Sequence, residues 1–126
     1  MRAGNYDITC EQGTTFVRLL ILKRPDLIAD PTGNTYVDFD ITGYTARMQV
    51  RRTIENPTAM LSLTTENNGL TINPTGESNQ IRIDIVDSVT ASIQNSGVYD
   101  LEIISSEGAV SRLIQGNFNL IPEVTR

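Results

Sequence analysis

The residues best suited to chemistry in this chain are its alternating carboxylates, Asp38 with Asp40 and Asp100 with Glu102. On an extended strand such a pair lies on one face about 6 to 7 Å apart, a spacing that could serve acid and base roles at a glycosidic bond. Alternating acidic residues are more commonly a solvated outer strand face, and that reading is preferred. The sequence has no histidine. This removes the commonest general base, the Ser-His-Asp and Cys-His arrangements, and histidine-containing metal sites. A zinc site built from Cys10 and carboxylates would be poorly ligated. The run Asp30, Pro31, Thr32, Gly33, Asn34 offers hard oxygen ligands. It lacks the spacing and the closing bidentate glutamate of a calcium loop, and reads as a turn. The glycines show no phosphate-binding spacing. No catalytic, cofactor-binding or metal site is expected, and the chain is read as a non-enzyme.

Charge and composition narrow the partners. The 126 residues carry a net charge of -5, with 39% hydrophobic and 20% charged residues. That is a globular composition, long enough for a core without disulfides or metal, and one domain over residues 1–126 is expected. The negative balance disfavours a polyphosphate backbone, so no nucleic acid partner is expected. Arg47, Arg51 and Arg52 are the local exception, but on a strand Arg47 and Arg51 share a face while Arg52 points away. No aromatic ladder accompanies them, and a solvated face is the reading. No apolar run approaches the roughly 20 residues that span a bilayer, so no membrane insertion is expected. MRAGNYDITCEQ at the N-terminus has no apolar signal core, and synthesis in a cytoplasm without export is expected. Cys10 has no partner for an internal disulfide and fits a half-buried strand position.

The elements that must position these residues are strands. The apolar period is two almost throughout. Tyr6, Ile8 and Cys10 alternate with polar residues; beyond Gln12–Gly13, Phe16, Arg18, Leu20 and Leu22 share one face, and Val17, Leu19 and Ile21 the other. This second strand is apolar on both sides, so cover on both faces is expected, from a sandwich or a partner subunit. Residues 24–36 read as a long loop. Tyr44, Ala46, Met48 and Val50 then face inward, with Thr45, Arg47, Gln49 and Arg51 outward. Glu66-Asn67-Asn68-Gly69 predicts a hairpin turn between the strands around Leu63 and Leu70. Ile81, Ile83 and Ile85 oppose Arg82 and Asp84. The only helical pattern is 87–94, with Asp87 or Ser88 as cap and Val89 and Ile93 on one face. In the last hairpin a two-residue turn at Glu107–Gly108 pairs Leu101 with Ile114 and Ile103 with Arg112, whereas a three-residue loop sets Glu102 against Arg112. The pattern predicts an all-β antiparallel sandwich or small barrel of about eight strands with at most one short helix.

Several blocks together resemble a known group. They are YDIT at 6–9, EQGTTF at 11–16, ITGYTARMQVR at 41–51, LTTENNGLTI at 63–72, GVYDLEI at 97–103, VSRLIQG at 110–116 and PEVTR at 122–126. In content, order and spacing the chain resembles small β-sandwich virion structural proteins of tailed bacteriophages and prophages, often encoded near tail or baseplate genes. The resemblance implies an immunoglobulin-like fold and a non-enzymatic role in the virion, after synthesis in the host bacterial cytoplasm. It implies contacts with other virion proteins (tail, neck, baseplate or major capsid protein) and a homo-oligomer in the particle. Capsid decoration is the alternative address, and a carbohydrate-binding module for host recognition is the alternative of another class. Cys10, where an aliphatic is expected, and an insertion around Asp30 to Phe39 depart from the pattern. The expected contact segments are the N-terminal arm Met1 to Asn5, the loop 24–36 and the tail Ile121 to Arg126. The expected contact residues are Pro25, Asp30, Pro31, Asn34, Tyr36, Arg47, Arg51, Pro122, Glu123 and Arg126.

Overall fold

A computed structural model describes residues 3–125; Met1 and Arg2 of the expected arm and Arg126 of the expected tail lie outside the described residues. In chain order the elements are β1 (Gly4–Asn5), β2 (Ile8–Glu11), β3 (Phe16–Ile21), β4 (Lys23–Pro25), β5 (Tyr36–Asp38) and β6 (Thr45–Arg51). There follow β7 (Ala59–Thr64), β8 (Leu70–Ile72), β9 (Gln80–Ile85), α1 (Asp87–Ser92), β10 (Gly97–Ile104) and β11 (Val110–Ile121). The strands beyond the expected eight or so are short pieces such as β1, β4 and β5.

Two sheets face each other. One runs β11-β10-β6-β7 with antiparallel neighbours, and β1 and β2 add to β11 in parallel; the other is β3-β9-β8. This is the GFCC′-against-BED strand order of an immunoglobulin-like sandwich, with α1 at the corner between strands E and F. Each strand buries alternate residues because its side chains alternate faces. Ala46, Met48 and Val50, then Tyr99, Leu101 and Ile103, and Ile8, Cys10 and Phe118 meet Phe16, Ile81, Ile83 and Ile85 of the opposite sheet in one core. Burial pushes the Cys10 thiol pKa up, and neighbouring Glu11 adds to the effect.

Four expectations need correction. The turn at 66–69 is not a hairpin, because β7 pairs with β6 and β8 with β9. The Asn67 side-chain oxygen accepts from Thr64 N and Gly69 N, both at 2.9 Å, and the tight turn carries the chain across to the other sheet. The long loop at 24–36 is a ribbon whose ends are strands, with Lys23 opposite Asp38 and Pro25 opposite Tyr36. The cap of α1 is Val86, without a side-chain bond, and Thr90 instead of Val89 turns to the core. Thr90 Oγ1 donates to Thr14 O at 2.6 Å, which pins the helix to the start of β3. Finally, the face formed by Val17, Leu19 and Ile21 is not covered by the sandwich, whose described residues leave these side chains 40 to 55% exposed.

The last hairpin joins part of each alternative, and Ile103 faces Ser111 instead of Arg112. Near the turn Glu102 faces Arg112, and farther away Leu101 faces Ile114, with a β-bulge between Leu101 and Glu102 absorbing the difference of one residue.

A polar cluster links the N-terminal segment to both sheets. The Tyr99 hydroxyl donates to the Tyr6 carbonyl, and Arg18 Nη1 donates to the Tyr6 hydroxyl. The Arg18 guanidinium lies 5.3 Å from the Phe16 ring centre and 5.8 Å from that of Tyr6. Burial first, then Tyr6 and Asp7, push the Tyr99 phenol well above its ordinary pKa, while Arg18 opposes them. An unfolded chain ionises this tyrosine near pH ~10, whereas the folded chain holds it neutral. The Tyr99 contribution to stability is therefore intact below that pH and is lost as pH rises from there towards the higher folded value. Tyr99→Phe should destabilise the fold by about 1 to 2 kcal/mol at neutral pH, by leaving the Tyr6 carbonyl without this donor. It should also flatten the alkaline loss of stability; urea titrations between neutral pH and pH ~11 read both effects, and an unchanged alkaline slope would refute the assignment.

Candidate functional site

The outer face of the larger sheet carries a polar concavity. It encloses about 510 Å³ and draws on β6, β10 and β11, with Asn5 of β1 and Ile54 at its rim. The register explains its composition. Val98 stands opposite Arg51, Asp100 between Gln49 and Gln115, and Glu102 between Arg47 and Arg112. Outward positions of three neighbouring strands thus form one polar floor, while their inward partners fill the core.

The charges on this floor are engaged with one another. Arg47 Nε donates to Glu102 Oε1 at 2.8 Å, and Arg112 Nε lies 3.3 Å from Asp100 Oδ2. Arg51 donates to Gln49 Oε1 at 2.8 Å and to Asn56 O at 2.9 Å, and Arg112 Nη1 to Gln115 Oε1 at 3.3 Å. Arg47, Arg51 and Arg112 stand against two carboxylates, a locally positive balance on a chain of net charge -5. The arrangement supplies hydrogen-bond donors and acceptors for a polar partner surface.

The two carboxylate pairs have separate fates. Asp100 and Glu102 do share a strand face, each beside a guanidinium. Asp38 and Asp40 do not: Asp38 lies on β5 in an ion pair with Lys23 at 2.8 Å, and Asp40 lies beyond the strand. The Asp40 carboxylate accepts from Thr42 N at 2.9 Å, and that bond lowers its pKa. Asp30 behaves likewise. Its carboxylate accepts from Thr32 Oγ1 at 2.5 Å, Thr35 Oγ1 at 3.0 Å and Thr32 N at 3.1 Å, and these bonds hold its pKa low. Asp30 is thus the organising residue of a turn. Among the described residues no group of three or more His, Cys, Asp or Glu is placed to hold a metal ion.

The expected contact residues fall into three places. Pro25, Asp30, Pro31, Asn34 and Tyr36 belong to the β4–β5 ribbon, whose surface also exposes Leu27, Ile28 and Val37. Arg47 and Arg51 stand on the polar floor, as the alternation along β6 predicts. Pro122 and Glu123 follow β11; Glu123 N donates to Gln12 Oε1 at 2.9 Å, which holds this part of the tail against the β2–β3 turn. Sequence reasoning missed Arg112, Gln115 and Asn117 as floor residues. Their side depends on the bulge in the β10–β11 pair, which composition does not reveal.

No protein-family model matches the chain, and no curated protein matches it. Among solved structures the chain is similar to a chicken TCR, with 12% identity and a TM-score of 0.49. The match covers 96% of this chain and 56% of that one, so the chain spans about half the length of that structure. None of the described helices is long and apolar enough to cross a membrane.

The exposure of the floor predicts small energies. A double-mutant cycle on Arg47→Ala and Glu102→Ala should give a coupling of roughly 0.2 to 1 kcal/mol, read from urea midpoints and shrinking with added salt. A coupling above about 2 kcal/mol would mean that the floor holds the sheet together instead of being free for a partner.

Proposed function

We propose that this chain is a non-enzymatic structural subunit of a bacteriophage virion, in its tail, neck or baseplate region, acting through protein–protein contacts. The observation that carries the reading is the division of the chain between framework and insertion. The blocks that resemble the phage group fall on the strands and turns that build the core, such as β6, β10 and β11. The insertion around Asp30 to Phe39 falls on the ribbon, which exposes Leu27, Ile28, Tyr36 and Val37. Ile28 is 97% exposed there. Apolar side chains grouped on an ordered ribbon are what a protein-binding tip requires, and many copies in a symmetric particle multiply a weak contact.

A sugar-binding role is the second reading, favoured by the polar concavity with its amide and guanidinium groups. Against it, among the described residues the aromatic side chain that lines the concavity is Tyr99, which is buried, and Tyr36 lies on the ribbon. Capsid decoration would use the same kind of contacts at another address.

Mass spectrometry of separated heads and tails should find the chain in stoichiometric copy number in the tail fraction, and its absence from purified particles would overturn the proposal. Ile28→Asp should leave the fold intact and lower incorporation by on the order of tenfold, the loss of one well-placed apolar contact. Glycan-array binding that is lost on Gln115→Ala would establish the second reading instead.

A further inference from the structure

We propose that the outer edge of β3 is a self-association edge, on which a second copy of this chain adds its own β3 in antiparallel register about a two-fold axis at Leu19. The smaller sheets of the two copies then become one continuous sheet, β8-β9-β3 followed by β3-β9-β8. This goes beyond the virion reading and does not depend on it, because self-association is a property of the isolated chain.

The direction of the main chain supplies the first ground. Leu22 donates its N–H to Asn79 O at 2.8 Å, and its carbonyl accepts from Phe39 N at 3.1 Å. Even-numbered residues here therefore turn their peptide groups towards β9 and the ribbon. In an antiparallel ladder the direction alternates, so Val17, Leu19 and Ile21 turn theirs outward. Strand β9 agrees independently. Asp84, opposite Val17, donates to Gly69 O at 2.9 Å, and the carbonyl of Gln80, opposite Ile21, accepts from Asn73 N at 2.8 Å. Both bonds lead away from β3, which stands at the end of its sheet.

The same three residues carry the exposed apolar strip. Val17 is 55% exposed, Leu19 40% and Ile21 54%. Outward peptide groups and outward apolar side chains coincide at the same positions, the combination that favours strand addition.

The limits of the edge select a second copy as the occupant. At one end the chain turns away at Gly13, with φ of 80°. At the other end stands Pro25, which has no N–H to offer. Leu19 lies midway between them. Antiparallel pairing about Leu19 sets Val17 against Ile21, Thr15 against Lys23 and Gly13 against Pro25, so both ladders stop where the partner's stops. Every outward N–H and C=O of Val17, Leu19 and Ile21 then finds its counterpart. An isologous contact places each residue opposite its symmetry mate's complement, and only the axial residue meets itself. That residue is uncharged; Arg18 faces inward to Tyr6, and Lys23 is paired with Asp38. The contact is smaller than a standard interface, which implies a dissociation constant on the order of tens of micromolar to millimolar.

Sedimentation equilibrium of the full chain should show a reversible monomer–dimer transition in that range, and Leu19→Lys should weaken it at least about tenfold by facing two ammonium groups across the axis. Leu19→Cys should form a covalent dimer under mild oxidation, because facing Cα atoms in such a pair lie about 5.5 Å apart, within disulfide reach. Val17→Cys alone should not, since its symmetry mate is roughly 13 Å away, whereas Val17→Cys mixed with Ile21→Cys should cross-link. Native Cys10 is buried and does not compete. Circular dichroism checks the fold; should Leu19→Lys unfold, Ile21→Lys takes its place. A chain that stays monomeric to about 1 mM, or a dimer that survives the lysine variant and yields no Leu19→Cys cross-link, overturns the proposal.

Discussion

The bond from the Tyr99 hydroxyl to the Tyr6 carbonyl is the contact on which the architecture most depends. In immunoglobulin-like domains a tyrosine at this corner commonly bonds to backbone a few residues upstream on its own side of the chain. Here it reaches a residue 93 positions earlier and ties the N-terminal segment to the middle of the larger sheet. Tyr6 N in turn donates to Gln115 O at 2.9 Å, between the two short parallel pairings of β1 and β2 with β11. Arg18 then links the same tyrosine to β3 of the opposite sheet. One side chain thus gathers the first strands, the last hairpin and both layers. The phenol stays neutral because burial takes it from water and Tyr6 and Asp7 add to the effect, and a neutral phenol is the donor this contact needs.

With the N-terminal segment taken up by β11, the smaller sheet is left with three strands and β3 at its edge. In a sandwich whose first strand pairs with the second, that edge would be covered. The pairing of β1 and β2 with β11 completes the larger sheet at the expense of the smaller one. The opening of the β3 edge and the width of the polar floor are therefore two results of the same strand placement. Asn5 reaches the rim of the concavity because β1 extends that sheet beyond β11.

How much of this was legible in the sequence depended on the range of the interaction that decides each feature. Ala46, Met48 and Val50 announced the buried side of β6 by alternation alone, and so did Ile81, Ile83 and Ile85 for β9. Turn chemistry was legible only locally. Glu66-Asn67-Asn68-Gly69 does form a tight turn, but whether its flanking strands pair is settled by β6 and β9, which compete for them from distant parts of the chain. At α1 Ile93 is buried as its apolar spacing suggested, but Val89 is not, because the hydrogen bond from Thr90 to Thr14 turns Thr90 inward instead. The exposed strip on β3 reads in sequence as a strand buried on both faces. Composition cannot distinguish cover by the same chain from no cover at all.

Two other sheet ends differ from β3. Strand β8 spans only Leu70–Ile72, too short a ladder to recruit a partner, and β7 meets β6 through an irregularity near Arg51 that interrupts regular pairing. The continuation of β3 is protected in the usual manner, with a lysine at Lys23 and a proline at Pro25. Protection therefore stops where the apolar strip begins, at Ile21. Charged residues could stand here without giving up a buried position, since Val17, Leu19 and Ile21 are 40 to 55% exposed. A regular edge with apolar side chains invites aggregation unless something occupies it. The short length of this edge and its two terminators limit pairing to a single partner strand, a geometry that closes instead of propagating.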